Sequence, residues 1–405
     1  MTTKIVVDLG FGDSGKGLVT DYLALTHGHT TGDPGLIVRF NGGSQAGHNV
    51  YRDENESHVF SHFGSGIFQG FTTFWSRYCP VNPVSFCNEA NELYDKFKIV
   101  PKIIIDPLCP VTTPYDIAYN QALELHRTRH GSVGVGFGAT IERHHHTPHK
   151  LFVQDLKYPV ILDHKLKEIR NYYLGKAIRE AVHYPHPGDQ EIDIFEKYVS
   201  EFIESSYFIS ENKVFEQYRH NTIIFEGAQG ILLDMDHGFF PHVTRSHTTC
   251  RNAMDIINRN KLNPPDIYYV TRAYQTRHGA GPMTNEDHPD NILIAENPHE
   301  KNRIDPWQGP FRKAILDIDQ LKYAIECDGN YFEGYNKNLV ITCMDHVSEN
   351  GTIPYTDKGV TSHINTPEEL RDLLLYPTAG LFTSNTPYGY KIVNHSRKME
   401  KDIDD

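Results

Sequence analysis

The sequence predicts an α/β protein with a large, mostly parallel central sheet flanked by helices. Three observations carry this. The apolar run Lys4–Leu9 feeds directly into a glycine-rich loop and then a helical stretch, Gly17-Leu18-Val19-Thr20-Asp21-Tyr22-Leu23-Ala24. Further strand-type runs recur at Leu36–Phe40, Ile103–Ile105, Thr222–Phe225, Ile267–Thr271 and Leu339–Thr342. Among them lie helical patterns at Asp163–Val182, Ile192–Ile209 and Phe311–Cys327, with apolar residues three and four apart. Strands alternating with helices require a parallel sheet covered on both faces, and such sheets bind ligands at the carboxyl ends of their strands.

The N-terminal element is the most specific. Gly10-x4-Gly15-Lys16 has the spacing of a phosphate-binding loop, in which glycines let backbone N–H groups converge on an anion at a helix N-terminus. Gly12, Gly15 and Gly17 shape the loop, and Lys16 supplies a cation for phosphate oxygens. Gly17 stands where such loops carry the Ser or Thr that holds Mg²⁺, so another group must hold the metal. Asp13, inside the loop, is the candidate, because a carboxylate in a phosphate cradle is costly unless metal or chemistry needs it. The loop predicts a nucleotide.

The next elements place polar groups at strand ends. Asn41-Gly42-Gly43-Ser44-Gln45-Ala46-Gly47-His48 is a second glycine-rich turn, offering Gln45 as a donor and His48 as a titratable group. Phe225-Glu226-Gly227-Ala228-Gln229-Gly230 puts an amide, Gln229, beyond a third strand. His242-Val243-Thr244-Arg245-Ser246 and Thr248-Thr249 add hydroxyls suited to phosphate or to turn capping. His144-His145-His146 with His149 suggests metal, yet contiguous histidines do not converge as zinc ligands do; a solvated or substrate-facing loop is the expectation. Tyr184-Pro185-His186-Pro187-Gly188 breaks the helical region without being a linker. Motifs spread over most of the chain predict one domain over 1–394, followed by a charged, frayed tail at 395–405.

Composition narrows the classes. In 405 residues, 39% are hydrophobic, enough for a packed core, and no apolar run approaches the ~20 residues of a membrane helix. A net charge of −13 argues against a nucleic-acid partner, which takes a basic face. Six scattered cysteines without framework spacing, and the lack of a basic-then-apolar leader, predict a reduced, cytoplasmic location.

Taken together these motifs resemble adenylosuccinate synthetase, over about residues 4 to 390. The sharpest matches are GDSGKG (GDEGKG in the family), GGSQAGH (GGHNAGH), FEGAQGILLDMDHGFFPHVTRSHTT and RAYQTRHGAGP. The resemblance implies a P-loop-NTPase-like adenylosuccinate synthetase fold and a ligase that joins L-aspartate to a 6-oxopurine 5′-monophosphate, using a nucleoside triphosphate and Mg²⁺. It implies that Asp13 is the general base for purine N1, that His48 stabilises O6, and that Lys16 neutralises the transferred phosphoryl group. It further implies that Gln229 holds the purine edge and that Asp13 and the Gly47 backbone touch Mg²⁺. Gln45, Ser132 and Thr244 match positions near the monophosphate. Gly12, Gly15, Lys16, Gly17, Gly47, Asp345 and Ser384 fall on nucleotide-binding positions. A homodimer is expected on the same ground.

The departures from the family pattern are informative. Ser14 stands where the family has glutamate, next to the base for N1; a small hydroxyl there makes room for a 2-amino group and favours guanine over hypoxanthine. The guanine-reading TKLD is Thr342-Cys343-Met344-Asp345 here, and SxGP is Ser384-Asn385-Thr386-Pro387, which favours ATP or dATP over GTP. The arginine-rich aspartate loop is replaced by Asp305-Pro306-Trp307-Gln308-Gly309-Pro310-Phe311-Arg312, leaving Arg312 and Arg303 for carboxylates, with Arg272 and Arg277 as further candidates. Gly131-Ser132-Val133-Gly134-Val135-Gly136-Phe137-Gly138 keeps a glycine frame without the family's following arginine pair; Arg143 and Lys150 are the nearest basic residues. This pattern looks similar to the phage 2-aminoadenylosuccinate synthetases, whose substrate is dGMP, and a phage protein would work in its host's cytoplasm. An ordinary enzyme using IMP and GTP is the alternative. A non-catalytic nucleotide-binding regulator is disfavoured because a mere binder needs no base, and a GTPase switch because Gly17 lacks the hydroxyl.

Overall fold

A computed structural model describes residues 2–31, 34–126, 131–302, 309–331, 334–347 and 352–395. The tail beyond His395, Arg303 and Asp305–Gln308 therefore lie outside the described residues. The core is a ten-stranded sheet. Its strands in chain order are β1 (Thr3–Asp8), β2 (Leu36–Arg39), β3 (Thr72–Trp75), β4 (Ile103–Ile105), β5 (Tyr207–Phe208), β6 (Ile223–Glu226), β7 (Pro265–Arg272), β8 (Lys337–Thr342), β9 (Gly380–Thr383) and β10 (Val393–Asn394). In space they run β10-β9-β8-β7-β1-β6-β2-β3-β4-β5. Every neighbouring pair is parallel except β9 with β10. The α/β expectation holds.

The central strands are apolar on both faces because helices cover both. Leu36, Ile37 and Val38 of β2, and Ile223, Ile224 and Phe225 of β6, are fully buried. Side chains alternate between the two faces along each strand: Ile5 and Val7 join one hydrophobic cluster, Val6 another that includes Leu18, Val19 and Leu23. Those last three belong to the helix Lys16–Thr31, which docks on the sheet immediately after the loop.

All six predicted strands are present, with ends shifted by a residue or two. The predicted helices at 163–182 and 192–209 are observed as Pro159–Glu180 and Asp189–Ser205. The second stops early because Ser206 turns extended and Tyr207–Phe208 pair with β4. The third expectation needs a larger correction. Phe311–Ala314 is a strand paired antiparallel with Gln275–His278, and the helix is confined to Ile318–Gly329. Asp317 starts it, its carboxylate accepting from the Asp319 and Gln320 N–H groups. The histidine triplet also departs from the loop expectation, closing the last turn of the helix Phe137–His146.

Candidate functional site

The carboxyl ends of β1, β2, β6, β7 and β8 meet at one cavity of about 550 Å³. Its wall includes Gly12, Asp13, Ser14, Gly15, Lys16 and Gly17 from the first loop, and Gln45, Gly47 and His48 from the second. Gln229, Arg272, Cys343 and Asp345 come from the other strand ends. Residues distant in sequence converge because the parallel strands all point the same way.

The phosphate loop is tied by Asp8. Its carboxylate accepts from Gly10 N at 2.8 Å and Ser14 N at 3.0 Å, and meets Lys16 Nζ at 3.2 Å. From the far side, Thr342 Oγ1 donates to the Ser14 carbonyl at 2.8 Å. Gly17 has a steric reason: a Cβ there would lie 2.7 Å from His48 Cβ and 3.0 Å from Ser65 Oγ. The hydroxyl residue of ordinary phosphate loops is excluded by the strand His48–Tyr51 packed against it. Gly230 is equally constrained, since a Cβ would sit 2.1 Å from the Gly10 carbonyl oxygen.

Three non-glycine residues of the wall hold left-handed backbone: Asp13 (φ 63°), Gln229 (φ 60°) and Cys343 (φ 56°). Such strain costs of order 1–3 kcal/mol per residue and gathers where a side chain must be aimed. The Asp13 carboxyl is pushed up from its ordinary value by burial, against the attraction of Arg272 and Lys16. Arg272 reaches over it, Nε donating to the Asp13 carbonyl at 2.7 Å and Nη1 to Glu300 Oε2 at 2.9 Å and Tyr274 Oη at 3.0 Å. The Gln45 amide, through both its polar atoms, and Gln229 Oε1 are buried without a hydrogen-bond partner among the described residues. Unspent hydrogen-bonding capacity in a cavity wall marks where a ligand's polar edge fits.

His48 rests on a buried ion network. Its Nδ1 lies 2.6 Å from Glu226 Oε1, and Glu226 Oε2 accepts from Ser65 N at 3.0 Å. Ser65 Oγ also donates to Glu226. Burial pulls the His48 imidazole down to about 4 in spite of Glu226. Burial acts to raise Glu226 too, but pairing with His48, Arg39 and Ser65 holds it at about 2. Burial thus works against charge on the imidazole while the Glu226 carboxylate works to keep it.

Of the sequence-predicted site residues, Asp13, Ser14, Lys16, Gln45, Gly47, His48, Gln229, Asp345, Gly12, Gly15 and Gly17 line this cavity. Four others are not among its lining residues. Ser132 exchanges hydrogen bonds with Asn120, and Ser384 Oγ donates to the Thr386 carbonyl. Thr244 is half-buried, its N–H on the Leu233 carbonyl. Arg312 is spent on Glu286 and on the Gly279 and Gly281 carbonyls. Arg277 gives its donors to backbone carbonyls and lies over the Phe11 ring at 4.2 Å, so Arg272 is the candidate arginine that reaches the cavity. Arg143 is fully buried on Asp116.

Sequence reasoning passed over Glu226, Arg39, His299, Glu300 and Lys301. The first two carried a signal. Each is a charged residue ending a short, wholly apolar strand, where burial is costly unless a partner of opposite charge sits alongside. The register pairs Arg39 directly with Glu226.

The family model for adenylosuccinate synthetase matches residues 5–370. The adenylosuccinate synthetase of Leuconostoc mesenteroides is 29% identical over 371 residues, covering 90% of this chain and 83% of that protein. Among solved structures, the fully ligated adenylosuccinate synthetase of Plasmodium falciparum superposes with a TM-score of 0.78 at 17% identity, over 97% of this chain and 99% of that one. The succinoaminodeoxyadenylate synthetase of cyanophage S-2L, bound to dGMP and to dATP as an energy donor, gives a TM-score of 0.64 at 15% identity, over 99% and 97%. A phosphate loop with an internal carboxylate and a family match across most of its length thus place this chain in the adenylosuccinate synthetase family, as a carbon–nitrogen ligase.

Proposed function

We propose that the protein joins L-aspartate to dGMP through a 6-phosphoryl intermediate, with ATP or dATP as phosphoryl donor, and acts as a homodimer. The observation that carries this reading is Asp13, a carboxylate in a left-handed turn of the phosphate loop, sharing one cavity with Lys16, His48 and Gln229. A 6-oxo group is a poor leaving group, so an amine displaces it only after activation. Asp13 removes the N1 proton, O6 attacks the γ-phosphorus, and phosphate later leaves as the aspartate amine adds. Burial raises the basicity of Asp13, which suits that step. Lys16 meets the transferred group.

Mg²⁺ fits the donor set. Only charge–charge interactions and burial act on the Asp13 carboxylate, which accepts no hydrogen bond from the described residues. With the Gly47 carbonyl it offers hard oxygen ligands at the cavity wall. The ion would supply charge neutralisation on the triphosphate.

Substrate choice follows from two positions. Ser14, 5% exposed beside Asp13, leaves room for a 2-amino group. At the donor end, His346 Nε2 lies 3.0 Å from Asp345 Oδ2 and crowds one of its two oxygens. Guanine presents two adjacent N–H donors and calls for both oxygens; the 6-amino group of adenine needs one. The cyanophage enzyme, bound to dGMP and to dATP as an energy donor, lends this reading support. Arg272 and Lys301 join Lys16 as basic groups of the cavity and support carboxylate binding.

The test is aspartate-dependent phosphate release from IMP, GMP and dGMP, each with GTP, ATP and dATP. Turnover of dGMP with an adenine nucleotide is expected. Efficient use of IMP and GTP with dGMP untouched would overturn the substrate assignment.

A further inference from the structure

We propose that Glu226 is a positioning residue for His48, fixing its imidazole with the proton on Nδ1 and Nε2 presented to the cavity, with Arg39 as the buried counter-charge that holds Glu226 in place. The proposal deepens the reading above and rests on it for the role of His48 in turnover, though not for the state of the ring.

Geometry leaves the ring little choice. Glu226 Oε1 is 2.6 Å from His48 Nδ1, and a carboxylate in that position accepts a proton held on Nδ1. The same carboxylate is gripped from other sides. Ser65 donates through both its backbone N–H and its hydroxyl, so the Glu226 side chain cannot swing away without breaking three hydrogen bonds. Glu226 and Arg39 are both fully buried, and His48 is 8% exposed.

Arg39 completes the network from the neighbouring strand. Its Nη1 lies 3.8 Å from Glu226 Oε2, and its guanidinium lies over the Trp75 ring at 5.6 Å. None of its three guanidinium nitrogens has a hydrogen-bond partner among the described residues. A buried guanidinium without hydrogen bonds is costly, and the favourable terms here are the charge of Glu226 and the aromatic face. Parallel register produces the alignment. Arg39 pairs with Glu226 on one side and with Trp75 on the other, so the three side chains project from one face of the sheet beneath His48. The charge pair sits at the strand ends, one layer below the cavity wall, where it can orient a reacting group without touching substrate.

The fixed ring has a chemical consequence. With Nδ1 held by the carboxylate, Nε2 is the ring nitrogen left to meet the purine O6 or the phosphoryl group; it does so as a donor once it carries a proton, and the Glu226 carboxylate favours the imidazolium that results. An imidazole free to flip would spend part of its time with the wrong nitrogen facing the reacting atoms.

The test is ¹⁵N NMR of histidine-labelled protein without ligands, with the His48 signals assigned by difference against His48→Ala. The expected spectrum shows the ring protonated on Nδ1. A ring protonated on Nε2 alone, or a mixture of tautomers, in the wild-type protein overturns the proposal, and this readout is independent of the substrate assignment. Glu226→Gln is expected to give mixed tautomers and to lower kcat about 100-fold with KM for the triphosphate within about threefold. The double variant with His48→Ala should lose no more than His48→Ala alone, because Glu226 acts through that ring. Multiplying losses would show a separate structural role. If Glu226→Gln does not fold, the wild-type spectrum still decides.

Discussion

Lys16 Nζ and Asp8 Oδ2 lie 3.2 Å apart, with side chains 3% and 0% exposed. Lys16 is thus braced by the carboxylate that also ties Gly10 and Ser14 into the loop. Loop shape and lysine position share one anchor. Asp8→Ala should cost about 3–5 kcal/mol of stability, the magnitude for breaking a buried pair, and weaken triphosphate binding. Urea denaturation and nucleotide titration check this; an unchanged midpoint would mean the loop is held by other contacts.

In the proposed mechanism Asp13 carries the chemistry and not the binding of the purine monophosphate. Asp13→Asn keeps the shape and removes the basicity, so turnover should fall by at least ~10²–10⁴-fold, the range for loss of a general base, while the folded protein still binds purine monophosphate. Phosphate release at the wild-type rate in this variant would sink the mechanism.

The proposed donor preference turns on His346 and Asp345, 3.0 Å apart. His346→Ala clears the space beside that carboxylate oxygen for a guanine edge. The ratio of kcat/KM for GTP over ATP should rise about tenfold, ~1.4 kcal/mol, the order of one added hydrogen bond to a charged group. An unchanged ratio would place the selection elsewhere in the cavity.

Stability should depend on pH through Asp21. Burial pushes its carboxyl up to about 7, against a hydrogen bond from Gln69 Nε2 at 2.9 Å. The unfolded value is near ~3.9, so the folded state binds more protons between the two. Stability is then greatest below that lower value and falls as pH rises towards about 7, by ~1.4 kcal/mol per unit of separation. Asp21→Asn should flatten this part of the profile, read as urea midpoints at pH 5 and pH 8. Parallel profiles for the two proteins would contradict the assignment.

Local signals made much of the fold and site legible. The β1 run, its glycine loop and Lys16 are contiguous, and His48 and Gln229 each lie in or just after the loop that leaves an apolar strand, so a parallel sheet brings them together. What escaped was non-local. The apolar spacing of Phe311–Cys327 fits a helix, but Phe311–Ala314 finds a strand partner in Gln275–His278, far away in sequence. Arg312 reads as a free cation until Glu286 and two carbonyls claim it. Glu226 and Arg39 were visible as charges ending apolar strands, yet only the register shows that they face each other.

The central claim is that O6 of the purine captures phosphorus after Asp13 takes the N1 proton. Running the reaction with dGMP carrying ¹⁸O at position 6, together with aspartate and ATP, tests it most directly by mass spectrometry of the products. The account predicts that the label appears in inorganic phosphate, one atom per succinylated nucleotide formed. Succinylated product accompanied by unlabelled phosphate would contradict it.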